Sequence, residues 1–226
     1  MGSKCSIISF ALDLPRRSGF DSAWSPDLAA SRILAERLTG CSVERAHADT
    51  CTLDAALWPN PGTVAAGSAG SLDLVTWSGL SETHPSTLTP LVHSVDVNRS
   101  AYLVLMDSTV DWAAFACWSG GALLRSVSIS FDDGVIEAVG EPLAFEHDFW
   151  GGPRRRVPQD YPFPFAISAI GNAALREFFG FVLEGKWDPQ APDPEEIPIH
   201  RFRLPGATKV EASMRMRAEA MLRRRQ

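Results

Sequence analysis

Three aspartates, Asp13, Asp107 and Asp111, are the first candidates for chemistry in this sequence. Asp13 and Asp107 each follow an apolar run that predicts a buried strand. If the two strands are parallel neighbours, both carboxylates lie at the sheet edge where open α/β sheets bind ligands, with Asp111 close by. Asp13 and Asp107 could then bind a metal ion such as Mg²⁺, or the carboxylates could share a proton for acid/base catalysis. Alternatively, these aspartates only begin the turns that follow the strands.

The densest group of titratable side chains is Glu146-His147-Asp148, which lies in an aromatic segment. His147 could act as a general base, but a catalytic histidine also needs a nucleophile nearby, and no spacing in the sequence indicates one. The alternative is a solvated loop. The histidines form no H-x-x-x-H pair and no G-x-S-x-G motif occurs, so neither a zincin nor an α/β-hydrolase is predicted. No phosphate-binding loop is indicated, and we expect no cofactor.

The elements that must position these residues are centred on an apolar run at 101–106. This run has no polar alternation, which predicts an interior strand covered on both faces. Two strand-like runs then flank Gly120-Gly121, a dipeptide suited to a tight turn, and predict a hairpin over 110–131. The stretch from 100 to 131 is therefore expected to form the centre of a sheet.

The register of this hairpin makes a prediction about Arg125. With Gly120 and Gly121 as the two loop residues, Arg125 lies opposite Ala116, and Trp118 lies opposite Leu123. That face is otherwise apolar, and an unpaired guanidinium there would be costly. We therefore expect Arg125 to be buried and paired with a carboxylate. The candidate partners are Glu137, Glu141 and Glu146.

The whole pattern predicts an α+β fold, with one domain built on a mixed β-sheet that two helices cover. The first helix, 26–38, follows Ser25 as N-cap, with Pro26 at its first position. The second, 172–184, has Asn172 as its cap and apolar residues at i, i+3, i+4, i+7 and i+8. The predicted strands of the sheet are 5–12, 101–106, 110–118 and 122–131.

Three regions follow from this reading of the chain. Residues 1–185 are predicted to form the globular domain, and residues 186–206, which are rich in proline, an arm without regular structure. Residues 207–226 are predicted to form a basic helix or tail that docks on a protein partner or on a second copy. Its predicted partner-binding residues are Met214, Arg215, Arg217, Met221, Arg223, Arg224 and Arg225.

Composition limits the classes of function. A net charge of −6 argues against a general nucleic-acid binder, so nucleic acid is a candidate ligand only for the basic tail. The four cysteines show no C-x-x-C spacing and no secretory signal precedes them, which favours reduced thiols and a cytoplasmic location. No apolar stretch approaches the roughly 20 residues of a membrane span. Arginine far outnumbers lysine, which suggests a GC-rich bacterial genome.

Several segments resemble an uncharacterised family of bacterial proteins, of the type found in high-GC Gram-positive organisms. The resemblance spans most of residues 1–204, and the basic tail lies outside it. It implies a single domain, but it carries no known activity and no catalytic residue. The segments that carry it most clearly are VDWAAFA from 110, LRSVSIS from 124, DDGVIE from 132, GEPLAFE from 140 and FGFVLEG from 179.

Two hypotheses of different classes remain open at this point. The first, which the sequence favours, is a non-catalytic binding or interaction domain that uses its C-terminal basic helix to dock on a partner. The second is a small metal-dependent hydrolase or acid/base enzyme that uses Asp13, Asp107 and Asp111. A pocket with converging carboxylates would favour the enzyme, whereas an exposed apolar patch would favour binding.

Overall fold

A computed structural model describes residues 2–12, 20, 24–153, 157–185 and 189–206, and for residues 45–49 it describes the backbone alone. Within these residues nine strands form one sheet, in the order β2-β9-β3-β4-β1-β5-β6-β7-β8. The strands are β1 Lys4–Ala11, β2 Glu44–Thr52, β3 Thr63–Ala69, β4 Leu72–Trp77, β5 Ser100–Asp107, β6 Trp112–Ser119, β7 Ala122–Ser130, β8 Gly134–Val139 and β9 Pro198–Arg203.

Helices connect and cover these strands. The α-helices are α1 Leu28–Thr39, α2 Leu53–Ala56, α3 Thr89–Asp96, α4 His147–Trp150 and α5 Ile167–Phe179. Short 3₁₀-helices occupy Ser78–Leu80, Pro85–Leu88 and Ala144–Glu146. The prediction of an α+β fold is confirmed.

The prediction of a mixed sheet is wrong, because every strand pairing among the described residues is antiparallel. The difference matters most at β1 and β5. These strands are direct neighbours, as the enzyme hypothesis required, but Lys4 lies opposite Asp107 and Ala11 lies opposite Ser100. Short connections explain the antiparallel pairing of β3–β4, β5–β6, β6–β7 and β7–β8, because a parallel pair needs a long crossover.

The sheet is covered on both faces. One face packs against α5 and the aromatic residues that precede it, and the other packs against α1 and α3. In β5, every residue from Ser100 to Met106 is buried, as the continuous apolar run predicts. Alternate residues of β5 enter the two cores, with Tyr102 and Val104 on the α5 side and Leu103 and Leu105 on the α1 side.

Helix α1 begins two residues later than predicted. Asp27, rather than Ser25, is the N-cap, and its carboxylate accepts a hydrogen bond from the Ala30 amide at 2.8 Å. Gly40 ends the helix in the left-handed conformation. The buried face holds Ser31, Leu34, Ala35 and Leu38. The N-terminal signals therefore located the helix correctly and misplaced its first turn.

Helix α5 lies five residues upstream of the predicted 172–184. Its buried side includes Leu175, Phe178 and Phe179, so these residues of the apolar pattern face the core as predicted. Asn172 is a buried residue inside the helix and not its N-cap. The Asn172 side-chain oxygen accepts hydrogen bonds from the backbone amides of Leu183 and Glu184, so this residue holds the segment that follows the helix. A residue type common at N-caps thus acts from the interior of the helix on the segment beyond its C-terminus.

The strands β6 and β7 pair across Gly120 and Gly121, and Trp118 lies opposite Leu123 as predicted. A bulge then shifts the register by one, so that Arg125 lies opposite Cys117 and not Ala116. The predicted register is therefore wrong beyond the turn. The shift places Arg125 on the α5 side of the sheet, and it places a row of buried serines from β7 on the α1 side.

Residues 186–206 were expected to lack regular structure, and this expectation is wrong for Pro198–Arg203. These residues form β9, which lies inside the sheet between β2 and β3. Proline occupies only the first position of the strand, where a missing amide is tolerated. Ile199 and Phe202 are buried on opposite faces.

None of the helices that the structure describes has the length and apolar composition needed to cross a membrane.

Gly140 provides a test of the connection that follows β8. Its φ of 78° is left-handed, and a Cβ added there would lie 1.9 Å from the Leu124 carbonyl oxygen. Gly120, with a φ of 55°, would place a Cβ in open space. We expect Gly120→Ala to lower the free energy of unfolding by about 1 kcal/mol, and Gly140→Ala to lower it by at least twice as much. Urea denaturation measures both, and equal losses would contradict the packing of Gly140 against β7.

Candidate functional site

Asp107 lies at the end of β5 and is held by two neighbouring residues. Its Oδ2 accepts a hydrogen bond from the Lys4 ammonium at 2.8 Å, and its Oδ1 accepts from the backbone amide and the hydroxyl of Thr109. Burial alone would raise the pKa of Asp107, but the hydrogen bonds from Lys4 and Thr109 outweigh it and the pKa is lowered. Both oxygens are therefore occupied, and a divalent cation would have to displace Lys4.

A second carboxylate, Glu184, lies near the same end of β5. Its Oε1 accepts hydrogen bonds from the Ser3 amide at 3.2 Å and from the Ser108 hydroxyl at 3.0 Å. Burial alone would raise the pKa of Glu184. The hydrogen bonds from Ser108 and Ser3 stabilise the charged carboxylate more strongly, so the pKa is lowered. Because the Glu184 amide is held by Asn172, this group connects the N-terminal residues, the β5–β6 turn and the segment after α5.

Asp111 contributes to a different part of the turn. It has a φ of 47°, and its carbonyl oxygen accepts a hydrogen bond from the Phe131 amide at 2.9 Å. Its carboxylate lies beside the Tyr161 hydroxyl, and burial together with this negative charge raises the pKa of Tyr161. Asp111 thus joins the β5–β6 turn to the end of β7, while the carboxylate of Asp107 is held by Lys4.

The predicted meeting of Asp13 and Asp107 depended on parallel strands, and that premise is wrong. Asp13 itself lies outside the described residues. The chain leaves β1 after Ala11, which pairs with Ser100 at the far end of β5 from Asp107. In the part of the chain that the structure describes, no three His, Cys, Asp or Glu side chains are grouped so that they could hold a metal ion.

The prediction that Arg125 is buried and paired with a carboxylate is confirmed, with Glu146 as the partner. The Arg125 side chain is 5% exposed and that of Glu146 is fully buried. The guanidinium donates to both carboxylate oxygens, at 2.9 and 2.6 Å, and to the carbonyl oxygens of Val139 and Gly140. Glu146 also accepts from the Leu143 amide and from the Trp150 indole, both at 2.8 Å.

This arrangement divides the predicted Glu146-His147-Asp148 group. Glu146 faces inward, whereas His147 is exposed at the first position of α4. His147 therefore does not share a site with the buried carboxylate of Glu146, and the structure gives no support to a catalytic role for His147. The role of Glu146 is to fix the segment from 139 to 150 over the end of the sheet.

A further buried carboxylate, Glu137 on β8, was predicted only as a possible partner of Arg125. It faces the opposite side of the sheet, where it accepts hydrogen bonds from the amide and the hydroxyl of Ser86, at 3.1 and 2.8 Å, and from the Ser126 hydroxyl. These contacts join β8 to the 3₁₀-helix Pro85–Leu88. No local sequence signal could have identified Ser86, because 51 residues separate it from Glu137.

The predicted partner-binding residues are in the segment 207–226, which lies outside the described residues.

Comparison with protein-family models identifies the family to which the chain belongs. A model for a family of unknown function, DUF6928, matches residues 6–202. The chain belongs to the DUF6928 family. The resemblance to a family of unknown function is thus confirmed. No curated protein and no solved structure matches this DUF6928 protein.

Replacement of Arg125 tests the buried ion pair of this DUF6928 protein. We expect Arg125→Met to lower the free energy of unfolding by about 3–5 kcal/mol, because Glu146 would remain buried without its cationic partner. The double variant Arg125→Met, Glu146→Met should recover part of this loss, since no isolated charge remains. Chemical denaturation of Arg125→Met, Glu146→Met and the double variant measures the coupling between the two side chains. If the loss in free energy of unfolding of the double variant equals the sum of the two single losses, the pair is not coupled.

The lowered pKa values of Asp107 and Glu184 predict an acid-sensitive contribution to stability. A carboxyl whose pKa is lower in the folded than in the unfolded protein stabilises the fold above its ordinary pKa, and this stabilisation is lost as the pH falls through the folded value. We therefore expect Asp107→Asn to be less stable than the wild type at neutral pH, with the difference shrinking as the pH falls below 3.8. Denaturation across pH measures this, and Asp132→Asn is the matched control for loss of one negative charge.

Proposed function

We propose that this DUF6928 protein is a non-catalytic interaction domain that binds a protein partner, or a second copy of itself, through its C-terminal basic segment 207–226. The observation that carries the proposal is a group of exposed apolar side chains at the end of the sheet. On the last two strands, Leu124, Val135 and Val139 are 50%, 52% and 41% exposed, and Phe131 in the turn between these strands is also exposed. Several exposed apolar side chains at one end of a sheet favour an interaction site there.

The geometry of the carboxylates supports the same proposal. Asp107, Glu184, Glu137 and Glu146 all accept hydrogen bonds from groups of the same chain. Carboxylates engaged in this way stabilise the fold and offer few free oxygens to a metal ion or a substrate. The alternative of a metal-dependent hydrolase also required Asp13 and Asp107 to meet at one sheet edge, and the antiparallel pairing removes that premise.

Charge favours the C-terminal segment as the docking element. Residues 207–226 carry six basic and two acidic side chains, a formal charge of +4, which leaves −10 on residues 1–206. Such a segment is attracted to acidic protein surfaces. A cytoplasmic location is part of the proposal, and the four free cysteines, Cys5, Cys41, Cys51 and Cys117, are consistent with a reducing compartment.

The proposal predicts that arginines of the segment determine partner capture. The test variant replaces Arg215, Arg217, Arg223, Arg224 and Arg225 with glutamine in the full chain, and quantitative co-purification from cell extract compares it with the wild type. We expect the variant to lose its protein partners, since the positive charge that attracts them is removed. DNA and anionic vesicles serve as competing probes.

The matched control replaces two arginines on α1, Arg32→Gln and Arg37→Gln, and should retain the partners. Equal capture of other proteins together with equal self-association in the wild type and the segment variant would contradict the proposal. Binding of DNA or vesicles in preference to protein would contradict the partner class.

A further inference from the structure

Strand β8 is an open edge of the sheet. It pairs with β7 on one side, and among the described residues no strand lies on its other side. An open edge presents unpaired backbone amides and carbonyls that can pair with another strand. Natural edges are commonly protected by lysine, proline or a bulge. The β8 sequence, GVIEAV, contains no lysine or proline, and its protection is limited to the bulge opposite Ser128 and Ile129.

The side chains of β8 leave this edge apolar. Its one charged residue, Glu137, is buried and engaged with Ser86 and Ser126, so it does not repel a strand that approaches from outside. Val135 and Val139 are both exposed, and the bulge places them on different faces, with Val135 opposite Ile129 on the α5 side and Val139 opposite Ser126 on the α1 side. Acidic residues flank the strand at both ends, with Asp132 and Asp133 before it and Glu141 after it, all exposed. The edge therefore suits an apolar strand that carries basic residues.

The C-terminal segment contains a stretch with this pattern. From Val210 to Ala220 apolar and polar residues alternate without a break, which is the period of a strand with one apolar face. Arginines occupy two of the polar positions, Arg215 and Arg217. The apolar positions are Val210, Ala212, Met214, Met216, Ala218 and Ala220. The same residues also favour a helix, so the two conformations must be distinguished by experiment.

Distance decides which copy of the chain can supply this stretch. The segment leaves the sheet after β9, and a strand added to β8 would lie eight strand positions from β9. At about 4.8 Å per position, this separation is about 38 Å. An extended chain covers at most about 3.6 Å per residue, so Met214 lies within about 29 Å of Gly206. In a flat sheet the middle of the alternating stretch therefore falls short of the β8 edge of its own chain, which favours supply of the stretch by a second copy.

We infer that the stretch 210–220 of a second copy pairs with the β8 edge as a tenth strand, and that two copies exchange these segments reciprocally in a two-fold dimer. This inference rests on the proposed function and specifies its partner. The backbone groups of β8 supply the hydrogen bonds, Val139 contacts the apolar face of the added strand, and the acidic residues at the ends of β8 attract its arginines. Reciprocal exchange closes the assembly at two copies.

The first experiment measures the mass of the full chain in solution by light scattering and sedimentation. We expect the wild type to be a dimer of 24.6 kDa chains. Val135→Lys with Val139→Lys should weaken the dimer by more than about tenfold, because lysine at these positions opposes the incoming arginines. The control, Ile33→Lys with Val97→Lys, adds the same charge at positions of similar exposure and should leave the dimer unchanged.

A charge exchange tests the pairing of the two surfaces. Arg215→Glu with Arg217→Glu should weaken the dimer, and adding Asp132→Lys with Glu141→Lys in the same chain should restore it. Hydrogen exchange then distinguishes a strand from a helix, since strand addition requires β8 amides to become protected as the dimer forms. Dimerisation without protection of β8 would overturn the inference.

Exchange between copies is tested by mixing two variants, both with Cys41→Ser and Cys51→Ser. One carries Val139→Cys and the other Met214→Cys, and we expect a disulfide between the two different chains on mild oxidation. A wild type that is monomeric at its highest soluble concentration would overturn the inference, as would a Val135→Lys, Val139→Lys variant as dimeric as its control. If the inference fails while arginine-dependent capture of another protein persists, the proposed function stands.

Discussion

Burial of the central strands on both faces is the constraint on which the rest of this structure depends. β5 is buried along seven consecutive residues, and its neighbour β1 is buried from Cys5 to Ala11. Strands of this kind cannot remain in water on either side, so helices must cover both faces. α5 meets this need on one side, and α1 with α3 meets it on the other. The positions of the helices, and the segments that connect them, follow from this requirement.

The apolar pattern of the sequence predicted the interior of the fold, because burial of apolar residues determines the interior. The run at 101–106 is β5, and the helical period around Leu175 and Phe178 belongs to α5. Strand direction and register depend instead on contacts between distant residues. No local pattern distinguishes an antiparallel β1–β5 pair from a parallel one, and a single bulge moved Arg125 to the other face of its hairpin.

The premise of the carboxylate site is wrong for the same reason. Asp107 was recognised as a carboxylate at the end of a strand, but its partner Lys4 is 103 residues away and becomes its neighbour only through antiparallel pairing. Glu146 was correctly included among the partners of Arg125 because a buried guanidinium must be neutralised by something within reach. The requirement that buried charge be paired is general, whereas the identity of the partner is a property of the topology.

In the dimer that we propose, the end of the sheet at β8 combines two kinds of interaction that differ in range. The opposite charges of residues 1–206 and 207–226 attract over a distance that salt limits to about 8 Å at physiological ionic strength. This attraction brings the surfaces together but does not select a register. Backbone pairing along β8 and contact with Val139 act only at short range and are little affected by salt. High salt should therefore slow association more than it speeds dissociation, because attraction governs the encounter and the paired edge governs the lifetime of the complex.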